Sequence, residues 1–244
     1  QFPMPFGSNI YLYLDLYFED ENSVRKAIEE AKYLNQKLKN NLLIVRITRP
    51  TTVEIMDFIK SELKYFPTIN LIIDYSNKGF AKIIKEDSRK NNIGMIMLTS
   101  EMFKNKENTK SVMELKIPVF KFGKEKLKSI KRTVIVLNDT NSYEQISPIV
   151  FDISSQLKVK TKIFDLDPIG EKDGKSTLLD HFENLAKIFN EKLEVVTSGE
   201  NPIRELKKQR NMLQILPLKD EMFKKRFSFK FLYTNSDFIA FDMN

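Results

Sequence analysis

At 244 residues the chain can bury one large core or two of ordinary size without staples. Cysteine is absent, which excludes disulfides, thiolate metal sites and cysteine nucleophiles and fits a reducing compartment. The 40 Lys and Arg against 33 Asp and Glu give a net charge of +7, and because lysine is spread along the whole chain no nucleic-acid partner is read from it.

No apolar run approaches the roughly 20 residues of a membrane helix, and no signal peptide is visible. The chain opens on Gln1 rather than Met, which reads as a piece excised from a longer protein. Residues 1–9, QFPMPFGSN, are expected as an extended lead-in, with prolines blocking helix and Gly7 and Ser8 forming a turn. A strand is expected over 10–17. A helix follows over 23–39, capped by Asn22 or Ser23, with Val24, Ala27, Ile28, Ala31, Leu34 and Leu38 on one face.

LLIVRIT, 42–48, reads as a second buried strand, and a helix over 52–65 presents Met56, Ile59 and Leu63 before Pro67. NLIIDYS, 70–76, is the third strand, and the helix after it carries Phe80, Ile83 and Ile84. GMIMLTS, 94–100, is the fourth. A polar, poorly patterned stretch over 101–116, helix or loop, leads to a fifth strand, IPVFKFG, at 117–123. Strands alternating with amphipathic helices predict right-handed crossovers and a parallel sheet covered on both faces.

At KRTVIVLND, 131–139, the pattern starts again. Strands are expected at 133–137, 160–166, 193–197, 212–216 and 238–241. In the helix after the first of them, Ile146, Ile149, Val150 and Ile153 repeat Val24, Ala27, Ile28 and Ala31 at a constant offset of 122. The fold class is therefore α/β, read as two doubly wound five-stranded parallel sheets in tandem rather than one long sheet. The boundaries are a lead-in at 1–9, a first domain at 10–123, a basic linker of little apolar content at 124–132 and a second domain at 133–244.

The five-strand order, the SGENPIREL entry to a helix and the closing IPVF after a polar loop resemble the universal stress protein superfamily, over nearly all of 10–243. The resemblance implies a Rossmann-like sheet ordered 3-2-1-4-5, pairing through fifth strands, and a nucleotide at the carboxyl ends of strands one and four. Carried onto this chain, the acidic residue after strand one corresponds to Asn138 or Asp139 in the second half. In the first half the matching turn holds Tyr17, Phe18, Glu19 and Asp20, with rings where a base needs room. The family's glycine-rich phosphate loop is replaced by TSEMFKNKENTKS in the first half and by PLKDEMFKKRFSFK, from Pro217 and Leu218, in the second. Neither has a glycine to admit phosphate to backbone amides. Lys224, Lys225 and Arg226 can meet an anion through side chains, or form a solvated basic loop. Asn201 before Pro202 starts a helix, either as an anion site backed by Arg204 or as an ordinary cap.

Other chemistry is weaker. DLDPIG starts like a calcium loop in Asp165, Asp167 and Gly170, but Ile169 and Ser176 stand where ligands are needed. The lone His181 adjoins Asp180 in a helix, where neighbours do not face each other, and reads as a surface residue. Phe227, Phe229 and Phe231 alternate as strand packing does, rather than as a stacking platform for single strands. No catalytic constellation appears, so no enzyme and no metal are expected. Paired domains of this kind resemble the cytosolic C-terminal region of some bacterial cation/proton antiporters. That resemblance implies a cytoplasmic regulatory or assembly module held at the inner membrane, a homodimer, with the membrane-embedded part of the same transporter chain as partner. No cofactor is expected. The alternative is a free-standing tandem stress protein that binds a nucleotide.

Overall fold

The computed structural model describes residues 5–38, 41–137, 145–165, 177–191, 193–196, 204–205, 208–218 and 236–242. Its first half runs β1 (Pro5–Asp15), α1 (Glu21–Lys37), β2 (Leu42–Thr48), α2 (Val53–Leu63), β3 (Ile69–Asp74), α3 (Phe80–Lys90), β4 (Met95–Leu98), α4 (Ser100–Lys104), α5 (Lys106–Leu115) and β5 (Val119–Lys121). A 3₁₀ turn (Leu127–Ser129) leads to β6 (Arg132–Leu137), α6 (Ser147–Leu157), β7 (Lys160–Asp165), α7 (Thr177–Ile188), β8 (Leu193–Val196), β9 (Met212–Pro217) and β10 (Asp237–Phe241).

The strands lie in the order β3-β2-β1-β4-β5-β10-β9-β6-β7-β8. Each half has the 3-2-1-4-5 order and is parallel throughout. The halves do not remain separate sheets. β5 pairs antiparallel with β10, Phe238 opposite Lys121 and Ala240 opposite Val119, and the result is one ten-stranded sheet.

Alternation along the strands sends successive side chains to opposite faces. Ile10, Leu12 and Leu14 join the core beneath α1, α2, α6 and α7, which is continuous across both halves. Tyr11 and Tyr13 turn to the other face, against Phe80, Ile83 and Ile84 of α3. There the Tyr13 hydroxyl donates to Asp87 at 2.8 Å, and Arg46 grips the same carboxylate at 3.0 and 3.2 Å. Burial first, then the Asp87 charge, pushes the Tyr13 hydroxyl far above its ordinary pKa.

Several local expectations are corrected. Gly7 and Ser8 lie within β1 rather than in a turn. The cap of α1 is Asp20: its carboxylate accepts from Ser23 N at 2.7 Å, while the Ser23 hydroxyl accepts from Asp20 N at 3.1 Å, a reciprocal capping box. Stretch 101–116, open between helix and loop in the sequence, forms two helices, α4 and α5, with Thr99 and Asn105 as their caps. The connector at 124–132 packs closely. Leu127 is 3% and Ile130 8% exposed, the Leu127 N–H reaches Glu30 at 2.7 Å, and Asn211 N–H reaches Glu125 at 2.7 Å. Spaced three apart, Leu127 and Ile130 share one side of a single turn.

Because Leu127 fills the core, Leu127→Ala is expected to cost about 2–4 kcal/mol, read from urea denaturation. A loss under about 0.5 kcal/mol, the level of a surface change, is the result expected of a solvated tether.

Candidate functional site

In a doubly wound sheet ligands gather at the carboxyl ends of the strands where the order reverses, here between β1 and β4 and between β6 and β9. In the first half that crevice is occupied by the chain itself. Asp15, the last residue of β1, is fully buried. Its Oδ1 accepts from Arg49 Nε at 2.9 Å and Tyr17 N at 3.2 Å, and its Oδ2 accepts from Arg49 Nη2 at 2.6 Å and Phe80 N at 3.0 Å. The Phe80 amide belongs to the first turn of α3, where backbone N–H groups favour negative charge. Arg49 takes a left-handed backbone (φ 46°), which a non-glycine residue adopts only when other contacts hold it there. A Cβ at Gly79 would stand 3.1 Å from Arg49 Nη2, so glycine is what lets α3 approach. The exposed Tyr17 ring covers the guanidinium at 4.3 Å. The Asp15 hydrogen bonds raise the Arg49 pKa above its ordinary value, against burial.

A second stitch closes the crevice above. Glu19 accepts from the hydroxyls of Ser23 and Thr99; burial raises its pKa, and those two bonds oppose the shift. Thr99 also caps α4 at Met102 N, 3.2 Å away, and Met102 Sδ accepts from Asp15 N at 3.4 Å. With Glu101 in the first turn of α4 and Glu19 beside it, this end is acidic and disfavours the anion that a phosphate cradle would hold. The first-half crevice therefore joins loops and offers no free acceptor on Asp15.

The second crevice follows from strand register. Thr133 pairs with Thr161 and Leu213 as Ile10 pairs with Leu43 and Met95, with each of these residues facing the same side. In the sequence Asn138 stands five residues past Thr133, as Asp15 stands five past Ile10. Asn138, Asp139, Asn201, Lys224, Lys225 and Arg226 lie outside the described residues, as do the phenylalanines 227, 229 and 231 and the segment after Asp165. Pro217 ends β9 half-buried, and Leu218 is buried beside it, its N–H donating to Phe241 O at 2.7 Å. Arg204 is exposed in helical backbone.

His181 is not a surface residue: it is half-buried, with Nε2 2.8 Å from Ser147 Oγ and its ring edge-on to Phe182. Ser147 has no solvent exposure, so its hydroxyl serves packing. A cavity of about 380 Å³ opens beside β7 and β8, lined by Lys162, Glu194, Val195, Val196 and Glu205, where no sequence signal pointed. Among the described residues no cluster of His, Cys, Asp and Glu gathers to hold a metal ion, and no helix is long and apolar enough to cross a membrane.

No protein-family model matches the chain, and no curated protein matches it. Solved structures do. A Pseudomonas aeruginosa protein described as a universal stress protein superposes with a TM-score of 0.65 at 10% identity, covering 98% of this chain and 95% of its own. A universal stress protein from Archaeoglobus fulgidus gives 0.59 at 10% identity, covering 96% of each chain. A functionally unknown protein from Pseudomonas aeruginosa gives 0.63 at 10%, covering 96% of this chain and 92% of its own. The chain thus shares the α/β fold of universal stress proteins.

Removing the guanidinium from Asp15 leaves a carboxylate at zero exposure with only backbone donors. Arg49→Met is expected to cost about 3 kcal/mol, near the low end for a broken buried pair because Arg49 is partly exposed. Adding Asp15→Asn should recover much of this in a double-mutant cycle. Additive losses would show that the two side chains do not act together.

Proposed function

We propose that the chain is a non-catalytic regulatory and assembly module made of two universal-stress-protein-like domains, 10–123 and 133–244, joined by 124–132. The observation that carries this reading is the saturation of Asp15: the residue at the family's ligand-binding end of β1 spends both oxygens on Arg49, Tyr17 and Phe80. The same side chains that would meet a base in a nucleotide-binding domain hold loops together here. Any ligand site belongs to the second half, built from Asn138, Asp139, Asn201, Arg204, Pro217, Leu218, Lys224, Lys225 and Arg226.

In its finer form the proposal assigns the module to a cation/proton antiporter. It would lie on the cytoplasmic side, attached to the inner membrane through the membrane-embedded part of the same chain, and assemble as a homodimer. It works by binding a ligand or partner better in one state of the carrier and shifting the equilibrium by that difference. The replacement of glycine in both loops after strand four supports regulation over nucleotide turnover. A tagged copy should capture an antiporter subunit from detergent-solubilised native membranes. Recovery of the native protein in the soluble fraction alone would end the transporter reading.

The second reading, a tandem stress protein that binds a nucleotide, is favoured by one feature of the sequence: the stretch from Asp165 has DLDPIG in place of TRPT and so carries no arginine to match Arg49. Thermal shift with ATP, AMP and cyclic dinucleotides separates the two. A ligand at about a hundred times its Kd adds about 2.7 kcal/mol, and a shift abolished by Asp139→Ala identifies the second half as its site. Unchanged Tm with every nucleotide leaves the partner-binding module.

A further inference from the structure

The two halves of the molecule grip a single peptide group. Gly123, where the chain leaves β5 for the connector, donates its N–H to Asp237 Oδ1 at 2.6 Å. Its carbonyl accepts from the ammonium of Lys26, which also reaches Glu125 O at 3.4 Å. Asp237 opens β10 of the second half, and Lys26 stands on α1 of the first. Four residues on, Glu30 of the same helix accepts the Leu127 N–H at 2.7 Å, so α1 holds the connector at both of its bends. Asp237 is 2% exposed, and its Oδ2 is buried with no hydrogen-bond partner among the described residues. A carboxylate in that position has given up its water and received one donor in return, a deficit that disfavours the charged form.

We propose that Asp237, Gly123 and Lys26 form a proton-operated latch between the two halves, closed by uptake of a proton at Asp237 and loosened when that proton leaves. The charged groups facing it among the described residues are Lys26 and Glu30 on α1, Lys121 on β5 and, further off, Lys104 on α4. Burial raises the Asp237 carboxyl to about 7, opposed by the Gly123 N–H and the charges of Lys26 and Lys121 and helped by Glu30. Lys121, 1% exposed, is lowered to about 8 by burial first, with Asp237 opposing and Lys26 and Lys104 adding.

The signs follow from linkage. A carboxyl raised in the closed seam stabilises it at low pH, and that contribution is lost as pH rises from the ordinary carboxyl range through about 7. A lysine lowered in the closed seam stabilises it at high pH, and that contribution is lost as pH falls through about 8. Between those values both groups are buried as ions and the seam is weakest. Acidification below that window neutralises Asp237 and tightens it.

The test uses the full chain. Amide exchange of 119–121 and 238–240, corrected for intrinsic rates, should report an open population about five- to tenfold larger at pH 8 than at pH 6, while the amides of β2 stay level. Carbon-13 titration should place the Asp237 carboxyl near 7. Asp237→Asn, which keeps an acceptor for Gly123 and cannot titrate, should remove the pH response of the seam. A carboxyl titrating near the ordinary 3.9, a seam equally open at both pH values, an equal change in β2, or an Asn variant that keeps the response would each overturn the latch. If Asp237→Asn does not fold, the titration and exchange of the unaltered chain decide the matter by themselves.

Discussion

The antiparallel pairing of β5 with β10 is the constraint on which the rest of the molecule depends. β5 contributes three residues, Val119–Lys121, and on its other side it pairs with β4. Without β10, β5 would be an open edge with unmet backbone groups beside apolar side chains, the arrangement that invites uncontrolled association. With it, two five-stranded sheets become one, and the core under α1, α2, α6 and α7 runs unbroken from one half to the other. The same closure buries Lys121 and Asp237, which a separated half would leave wet. Burial at the seam pushes the Asp237 carboxyl up and the Lys121 ammonium down.

Antiparallel joining also fixes where the two crevices lie. Each half is parallel within itself, so reversing one against the other sends their carboxyl ends to opposite edges of the sheet. The first crevice can be filled by Arg49, Tyr17, Glu19 and Met102 without crowding the second. Filling it has structural value. The Asp15 carboxylate ties the loops after β1 and β2 to the first turn of α3, and Glu19 ties the first of these loops to α1 and to the cap of α4. A ligand inserted there would have to replace charge-assisted hydrogen bonds already formed inside the protein, and each of those is stronger than a neutral one.

Much of the fold was legible because the inner strands are buried on both faces and so read as apolar runs: LLIVRIT and MIML appear in the structure within a residue or two of their expected ends. Helix faces were legible for the same reason, Val24, Ala27, Ile28 and Ala31 being buried as their spacing requires. The site was less legible. Asp15 closes the run IYLYLD and reads as the polar end of a strand, while its partners lie 34 and 65 residues further on. No local pattern reports such a distance. The cap at Asp20 was missed because its reciprocal partner is Ser23 rather than the Glu or Gln of the usual signature. The close packing of the connector was not legible because lysine dominates GKEKLKSIKR by number, while burial is decided by Leu127 and Ile130. Gly123 and Asp237 are 114 residues apart, and nothing around either announces the other.

Two crevices at opposite edges can influence each other only through what crosses between the halves. Among the described residues these crossings include the β5–β10 ladder, the Phe103 ring against Phe238, the connector under α1, the contact of α6 with β1 and the core that both halves share. Packed cores shift between discrete arrangements more readily than they deform smoothly, so a change in the second half reaches the first chiefly as a change in how the seam is seated. Among the described groups at these crossings, Asp237, raised to about 7, and Lys121, lowered to about 8, change charge nearest neutral pH, and Asp237 bonds the peptide at which the connector begins. A change in the seating of β10 therefore alters the grip on Gly123, and through Lys26 and Glu30 it bears on α1. The start of α1 carries Ser23, whose hydroxyl holds Glu19 over the closed crevice. Ser23, which holds Glu19, and Lys26 and Glu30, which hold the connector, thus all stand on one helix, so the closed crevice and the seam rest on the same element.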